Sequence, residues 1–218
     1  GNLSGLTRGA SGTTAASHSS GATVTDASDF FAWNAAASGD VITAPGIWSL
    51  DNFGNKLIAT INGGETFEWD SNPTGATDTR ATIVTGAPTA SALSLVSTPD
   101  RHLVFFGTET TIGTSTTQDP MLIRWSDTED PSTWEVLNGN SAGDYRLSSG
   151  SKIITGLKSR QEIVIWTDTA MYAMTYTGSN VVFNFSLMTE GISIISPNAA
   201  VNANGIVYFM DRGSFFTY

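Results

Sequence analysis

The segment Ile123-Arg124-Trp125-Ser126-Asp127-Thr128-Glu129-Asp130-Pro131-Ser132-Thr133-Trp134-Glu135-Val136 decides the fold class. The apolar run Met121-Leu122-Ile123 ends on Trp125, and Asp127, Asp130 and Pro131 follow at once. Asp side chains accept hydrogen bonds from the backbone two residues on, and Pro presets φ for a turn. Trp134 and Val136 then resume an alternating apolar pattern, which is a β signal. The segment predicts a hairpin: a strand, a tight acidic turn, and a second strand opening at Trp134.

The same grammar recurs on both sides. Upstream, Ile47-Trp48-Ser49-Leu50 predicts a strand, Asp51-Asn52-Phe53-Gly54-Asn55 a turn, and Lys56-Leu57-Ile58-Ala59-Thr60-Ile61 a second strand. Asn62-Gly63 is the strongest short-range hairpin signal. In Glu65-Thr66-Phe67-Glu68-Trp69-Asp70 the aromatic residues alternate with polar ones, so Phe67 and Trp69 share a face. A second unit joins residues 92–96, the turn Ser97-Thr98-Pro99-Asp100 and Leu103-Val104-Phe105-Phe106 to the central hairpin. A third joins residues 152–157, 162–166 and 171–176, and a fourth joins residues 198–201, 206–210 and 214–218.

With Ile58, Val104, Val164 and Val207 taken as equivalent, the spacings are 46, 60 and 43 residues. Repeats of this length holding several strands each suggest propeller blades. The middle strands are continuously apolar, which suits sheets covered on both faces. The expected fold is therefore all-β, a partial β-propeller-like domain over residues 47–218, with a β-sandwich as the alternative.

Composition narrows the function. The chain has 218 residues, is 40% hydrophobic and carries 11 Phe, 6 Trp and 5 Tyr, enough for a buried core. Charged residues make up only 14%, against about 25% in average globular domains. The net charge is −10, and the 10 Lys and Arg are scattered singly. Without a basic stripe, nothing attracts a phosphate backbone, so sequence-specific nucleic-acid binding is not expected. The absence of Cys excludes disulfides and thiolate metal sites. No apolar run approaches the length of a membrane span.

Residues 1–46 are rich in Gly, Ser, Thr and Ala, with Phe30, Phe31 and Trp33 as their aromatic residues. They predict either a flexible arm or loop, or an arm ordered by packing on a neighbouring subunit. Ala35-Ala36-Ala37 could seed a short helix there. The chain starts at Gly1 and stops within the strand-like Phe215-Phe216-Thr217-Tyr218, so it is expected to be a portion of a longer polypeptide with adhesive strand edges.

Candidate chemistry is sparse. Asp127, Glu129 and Asp130 cluster in one loop, but calcium loops set acidic residues at alternating positions around a Gly bend. Turn formation is the expected role. His18 and His102 are too few and too far apart to suggest zinc, and His102, beside a Pro-Asp turn, is expected at the surface. No Gly-x-Ser-x-Gly elbow occurs. Glycoside hydrolysis needs two carboxylates flanking a cleft, and none of the 20 Asp and Glu is marked for it. Asn62-Gly63-Gly64-Glu65 lies between strands and is a hairpin, not a phosphate loop. Trp48, Trp69, Trp125, Trp134 and Trp166 are expected in the core, with a stacking platform for sugars or bases as the lesser option. No catalytic, cofactor-binding or metal-ligating residue is assigned, and no enzymatic activity is expected.

Ser126-Asp127 through Thr133-Trp134 distantly resembles the Asp-box turn of sialidase-like propellers, without its usual Gly. A longer resemblance is to structural proteins of tailed phages: tail nozzle or hub proteins, and packaged-DNA stabilisation proteins of short-tailed phages. Its pieces are Trp48-Ser49-Leu50-Asp51-Asn52-Phe53-Gly54, Gly63-Gly64 and Trp69-Asp70, then Arg124-Trp125-Ser126-Asp127 through Asp130-Pro131-Ser132-Thr133-Trp134. Ala142-Gly143-Asp144-Tyr145-Arg146-Leu147 and Gly150-Ser151 follow. The longest is Arg160-Gln161-Glu162-Ile163-Val164-Ile165-Trp166-Thr167-Asp168 with Tyr172-Ala173-Met174, and the last is Ser193-Ile194-Ile195-Ser196-Pro197-Asn198-Ala199 with Gly205 and Met210. They run in order over residues 48–218.

The resemblance implies a non-enzymatic virion protein of the tail. Copies would form a six-fold ring against adjacent tail or portal-adaptor proteins, around a channel that DNA crosses without sequence-specific binding. The competing class is a glycan-binding or glycosidase-type β-propeller, which would need a concave pocket with paired carboxylates or exposed aromatics. A third is an adhesin-like scaffold without a channel.

Overall fold

The computed structural model describes residues 46–70, 81–98 and 100–218. Residues 1–45, with His18, Phe30, Phe31, Trp33 and the Ala35-Ala36-Ala37 segment, lie outside the described residues, as does Pro99. The described residues are all-β, with 15 strands in four antiparallel sheets. Sheet I holds β1 (Trp48–Phe53), β2 (Lys56–Ile61), β3 (Thr66–Asp70) and β4 (Thr82–Ile83). Sheet II holds β5 (Leu93–Val96), β6 (Leu103–Phe106), β7 (Leu122–Trp125) and β8 (Gly143–Arg146). Sheet III holds β9 (Ile153–Lys158), β10 (Glu162–Thr167), β11 (Ala170–Tyr176) and β12 (Phe183–Glu190). Sheet IV holds β13 (Ala200–Ala203), β14 (Ile206–Asp211) and β15 (Ser214–Thr217). Every sheet is a meander in which each strand pairs with the next in sequence.

The apolar runs explain how the sheets meet. Alternate side chains of a strand point to opposite faces. In β6, Leu103 and Phe105 join Phe53, Ile58 and Val84 of the first sheet region, whereas Val104 and Phe106 join Ile163, Ile165 and Tyr172 of sheet III. In β10, Ile163 and Ile165 face sheet II, and Val164 and Trp166 pack with Val207 and Phe209 of sheet IV. Sheets II and III thus bury both faces, which is why β6 is apolar at every position and β10 is apolar from Ile163 to Trp166. Sheet I differs: in β2 only Ile58 and Thr60 are fully buried, so one face alone is covered.

The first strands lie side by side, β1 against β5, β5 against β9 and β9 against β13. Polar groups stitch this seam. The Ser94 amide donates to Ser49 Oγ (2.9 Å) and the Val96 amide to Asp51 Oδ2 (2.8 Å). Lys158 Nζ reaches the same Asp51 carboxylate at 2.6 Å, and Asn202 Nδ2 donates to the Lys158 carbonyl at 3.0 Å.

Several expectations are corrected. No strand opens at Trp134: β7 pairs with β8, and residues 131–140 form an irregular loop. Trp134 anchors that loop, with its ring 4.8 Å from Phe105 and its Nε1 donating to the Pro131 carbonyl. The apolar alternation there reflects one buried anchor, while Val136 is exposed. Asp51, Asn52 and Phe53 belong to β1, and the turn is confined to Gly54-Asn55, with Gly54 at φ 64°. Val207 faces back toward sheet III, whereas Ile58, Val104 and Val164 each face the following sheet. The fourth equivalence is therefore one residue out of register, enough to exchange faces.

Candidate functional site

In the acidic loop after β7, Asp127 and Asp130 accept from nearby amides and hydroxyls. Asp127 Oδ1 accepts from the amides of Thr128 (2.9 Å) and Ser141 (2.8 Å) and from Ser141 Oγ (2.6 Å). Asp130 accepts from the Ser132 amide and hydroxyl and, through Oδ2, from Thr133 Oγ1. Glu129 pairs with Arg101 at 3.1 Å. Burial pushes the Asp127 carboxyl up, but the Ser141 hydroxyl, Ser141 amide and Thr128 amide outweigh it and hold the pKa low. The Ser132 hydroxyl is the main cause of the lowered pKa of Asp130. This is turn chemistry, and the donors favour the ionised form. Among the described residues, no group of three or more His, Asp or Glu side chains is placed to hold a metal ion.

His102 is fully buried, contrary to the expected surface position. Its Nδ1 donates to the Ser126 carbonyl at 2.7 Å, its Nε2 lies 3.2 Å from Thr128 Oγ1, and Phe183 meets the ring edge-on at 5.3 Å. Ser126 Oγ accepts from the Leu103 amide and donates to the Asp127 carbonyl, so it is not presented to His102 as a nucleophile. The imidazole ties the start of β6 to the acidic loop.

Glu109 has no mark in the sequence but is fully buried. Oε1 accepts from the Thr89 amide and hydroxyl, and Oε2 from the amides of Gly113 (2.7 Å) and Thr114 (3.2 Å). Arg124, also buried, donates to the carbonyls of Glu109 and Thr110 and lies 3.4 Å from Asp144. These two groups fold the β6–β7 connection inward; both Glu109 oxygens are occupied by donors, whereas among the described residues the buried Arg124 Nε has no hydrogen-bond partner.

A cleft of about 820 Å³ at one end of sheets II to IV is lined by Lys152, Asp168, Asp211 and Arg212. Asp168 accepts from the amide and hydroxyl of Ser151, and Asp211 from the amides of Ser193 and Arg212. The Ser151 hydroxyl, then its amide, hold the Asp168 pKa low. A glycosidase acid needs its pKa raised, so Asp168 is set the wrong way for that role. Both carboxylates instead clamp a β-turn to the segment preceding the first strand of their own sheet.

Trp125, Trp134 and Trp166 are buried as expected, but Trp48 and Trp69 are exposed on the outer face of sheet I. No described helix is long and apolar enough to cross a membrane.

No protein-family model matches the chain, and no curated protein matches it. Among solved structures, it is similar to the computationally designed Ika4 protein, at 11% identity and a TM-score of 0.46, over 82% of this chain and 94% of that one.

Proposed function

We propose that this chain is a non-enzymatic structural protein of a phage tail, a portion of a β-propeller-like domain in a nozzle, hub or tail tube. In this reading copies form a six-fold ring around a channel crossed by DNA, against adjacent tail or portal-adaptor proteins. The serial stacking carries the fold part. A two-sheet sandwich buries one face of each sheet, whereas sheets II and III here bury both and the first strands run side by side. Successive meanders packed this way support the propeller reading over the sandwich.

The tail assignment rests on the ordered resemblance over residues 48–218. It fits a site inventory in which the acidic loop, His102, Glu109 and the cleft carboxylates all serve the backbone. The net charge of −10 suits a DNA channel, because an acidic wall repels phosphate and lets DNA pass without adhering. Cryo-electron microscopy of the particle that carries this chain tests the reading. It predicts a symmetric ring on the tail axis with a DNA-wide lumen; absence of the chain from the tail, or a lumen lined with Lys and Arg, refutes it. Binding of the isolated chain to a glycan array would instead support the glycan-binding propeller.

A further inference from the structure

The chain contains three Asn-Gly pairs, Asn62-Gly63, Asn138-Gly139 and Asn204-Gly205. All of these residues are exposed. An Asn-Gly pair is able to modify itself, because the Gly amide nitrogen attacks the Asn side-chain carbon Cγ and a Gly has no Cβ to hinder the approach. The attack needs two freedoms. The Asn side chain must turn toward the following amide, and that amide must not be held by an acceptor. The three pairs differ in these freedoms and not in exposure.

Asn62-Gly63 has neither freedom. Asn62 Nδ2 donates to the Ala92 carbonyl at 2.9 Å, and the Gly63 amide donates to the Ser91 carbonyl at 2.7 Å, so the turn is tied to the segment that enters β5. At Asn204-Gly205 the nucleophile is held, with the Gly205 amide donating to Asn202 Oδ1 at 3.0 Å. Both residues have positive φ, 54° and 84°, and form the two-residue turn between the paired Ala203 and Ile206, a hairpin geometry that fixes them.

Asn138-Gly139 has both freedoms. Among the described residues, neither the Asn138 side chain nor the Gly139 amide has a hydrogen-bond partner. A Cβ built on Gly139 would meet nothing within 4 Å. The turn is closed beneath the pair instead. The Asn140 amide donates to the Leu137 carbonyl (3.4 Å), the Leu137 amide to Asn140 Oδ1 (3.2 Å), and Asn140 Nδ2 to the Glu135 carbonyl (2.8 Å). The tip is left open.

We propose that Asn138 is a site of spontaneous deamidation in the folded protein, and that the fold protects Asn62 and Asn204. The Gly139 amide loses its proton to solvent base and forms a bond to Asn138 Cγ, and the side-chain nitrogen leaves as ammonia. Water then opens the cyclic imide. Attack at Cγ gives aspartate, and attack at the backbone carbonyl carbon gives isoaspartate. The net reaction consumes one water and releases one ammonia, with no change of oxidation state. Either product adds a carboxylate to the lining of a groove of about 950 Å³ that already holds Asp127 and Asp144. Isoaspartate also inserts a methylene into the backbone between Leu137 and Asn140, whose mutual hydrogen bonds close the turn. The proposal is independent of the tail assignment.

Peptide mapping by mass spectrometry, after incubation of the chain in mildly alkaline buffer made with heavy-oxygen water, tests it. Each hydrogen bond that must first break lowers the reactive population by up to about ten-fold, so in the folded chain Asn138 should convert about ten-fold or more faster than Asn62 or Asn204. Its product should carry one solvent oxygen. In concentrated urea the hydrogen bonds are lost and the three rates should converge. Asn138→Gln, at an exposed position without contacts to lose, should abolish conversion in that peptide while keeping the far-ultraviolet β spectrum. Equal rates at the three pairs in the folded chain, faster conversion at Asn62 or Asn204, or conversion of Asn138 in urea alone overturns the proposal. So does a signal that survives Asn138→Gln, which would move the reaction to Asn140.

Discussion

Replacing Asp51 with Ala should destabilise the protein out of proportion to its place on a terminal sheet. Its carboxylate accepts the Val96 amide at 2.8 Å and Lys158 Nζ at 2.6 Å, so one side chain of sheet I holds strands of sheets II and III. Val96 is buried, and an amide left there without an acceptor costs about 1–3 kcal/mol. Lys158 is partly open to solvent, so the ion pair itself adds about 1 kcal/mol or less. The total is about 1–4 kcal/mol. At a slope of about 2 kcal/mol/M, the urea midpoint followed by Trp fluorescence should fall by about 0.5–2 M. Asp51→Asn keeps one acceptor oxygen and should fall between. Lys158→Met should cost less than Asp51→Ala, because the Val96 bond survives. Arg146→Ala is the control: its pair with Asp119 is more exposed, and loss should stay within about 1 kcal/mol. If Asp51→Ala changes stability by no more than the control, the seam contributes nothing and the reasoning fails.

Phe105→Ala removes a fully buried ring stacked on Trp134 and should cost about 3–5 kcal/mol, with a changed Trp emission that Val136→Ala does not reproduce. Gly143→Ala would drive a Cβ into the Trp125 indole, already fixed by Nε1 donation to the Ser141 carbonyl; urea unfolding should show a loss of about 1–3 kcal/mol. The Asp130 and Asp168 carboxyls have folded pKa values below 3.8, so their stabilisation is full above that value and is lost as pH falls through the folded values. The urea midpoint should therefore drop in the acid range below about pH 4, and Asp168→Ala should flatten that drop; an identical acid profile for the variant would contradict the assignment.

Strands buried on at least one face were legible from the chain. The alternation of Lys56–Ile61 with Asn62-Gly63 behind it defines β2 and its hairpin to the residue, and Leu103–Phe106 defines β6. The outer strands β4, β8 and β12 escaped notice. β4 is two exposed residues and three of the four residues of β8 are exposed, so neither needs an apolar signature. β12 mixes exposed and partly buried positions along its eight residues, which blurs the period of two. Likewise the Asp127 and Asp130 turns were readable because Asx chemistry is local, whereas the burial of Glu109 was not, because its donors include the distant Thr89.

Local order was thus decided by the sequence itself: which residues extend, where Asn, Asp and Gly turn the chain, and that the middle strands would be covered on both sides. These properties depend on neighbours one to four residues away. Tertiary structure alone decided that Trp134 stacks on Phe105 instead of opening a strand, that His102 is enclosed by Ser126, Thr128 and Phe183, and that Asp51 bridges to Lys158. Each of those contacts joins residues far apart in the chain, and its partner exists only once the sheets have stacked.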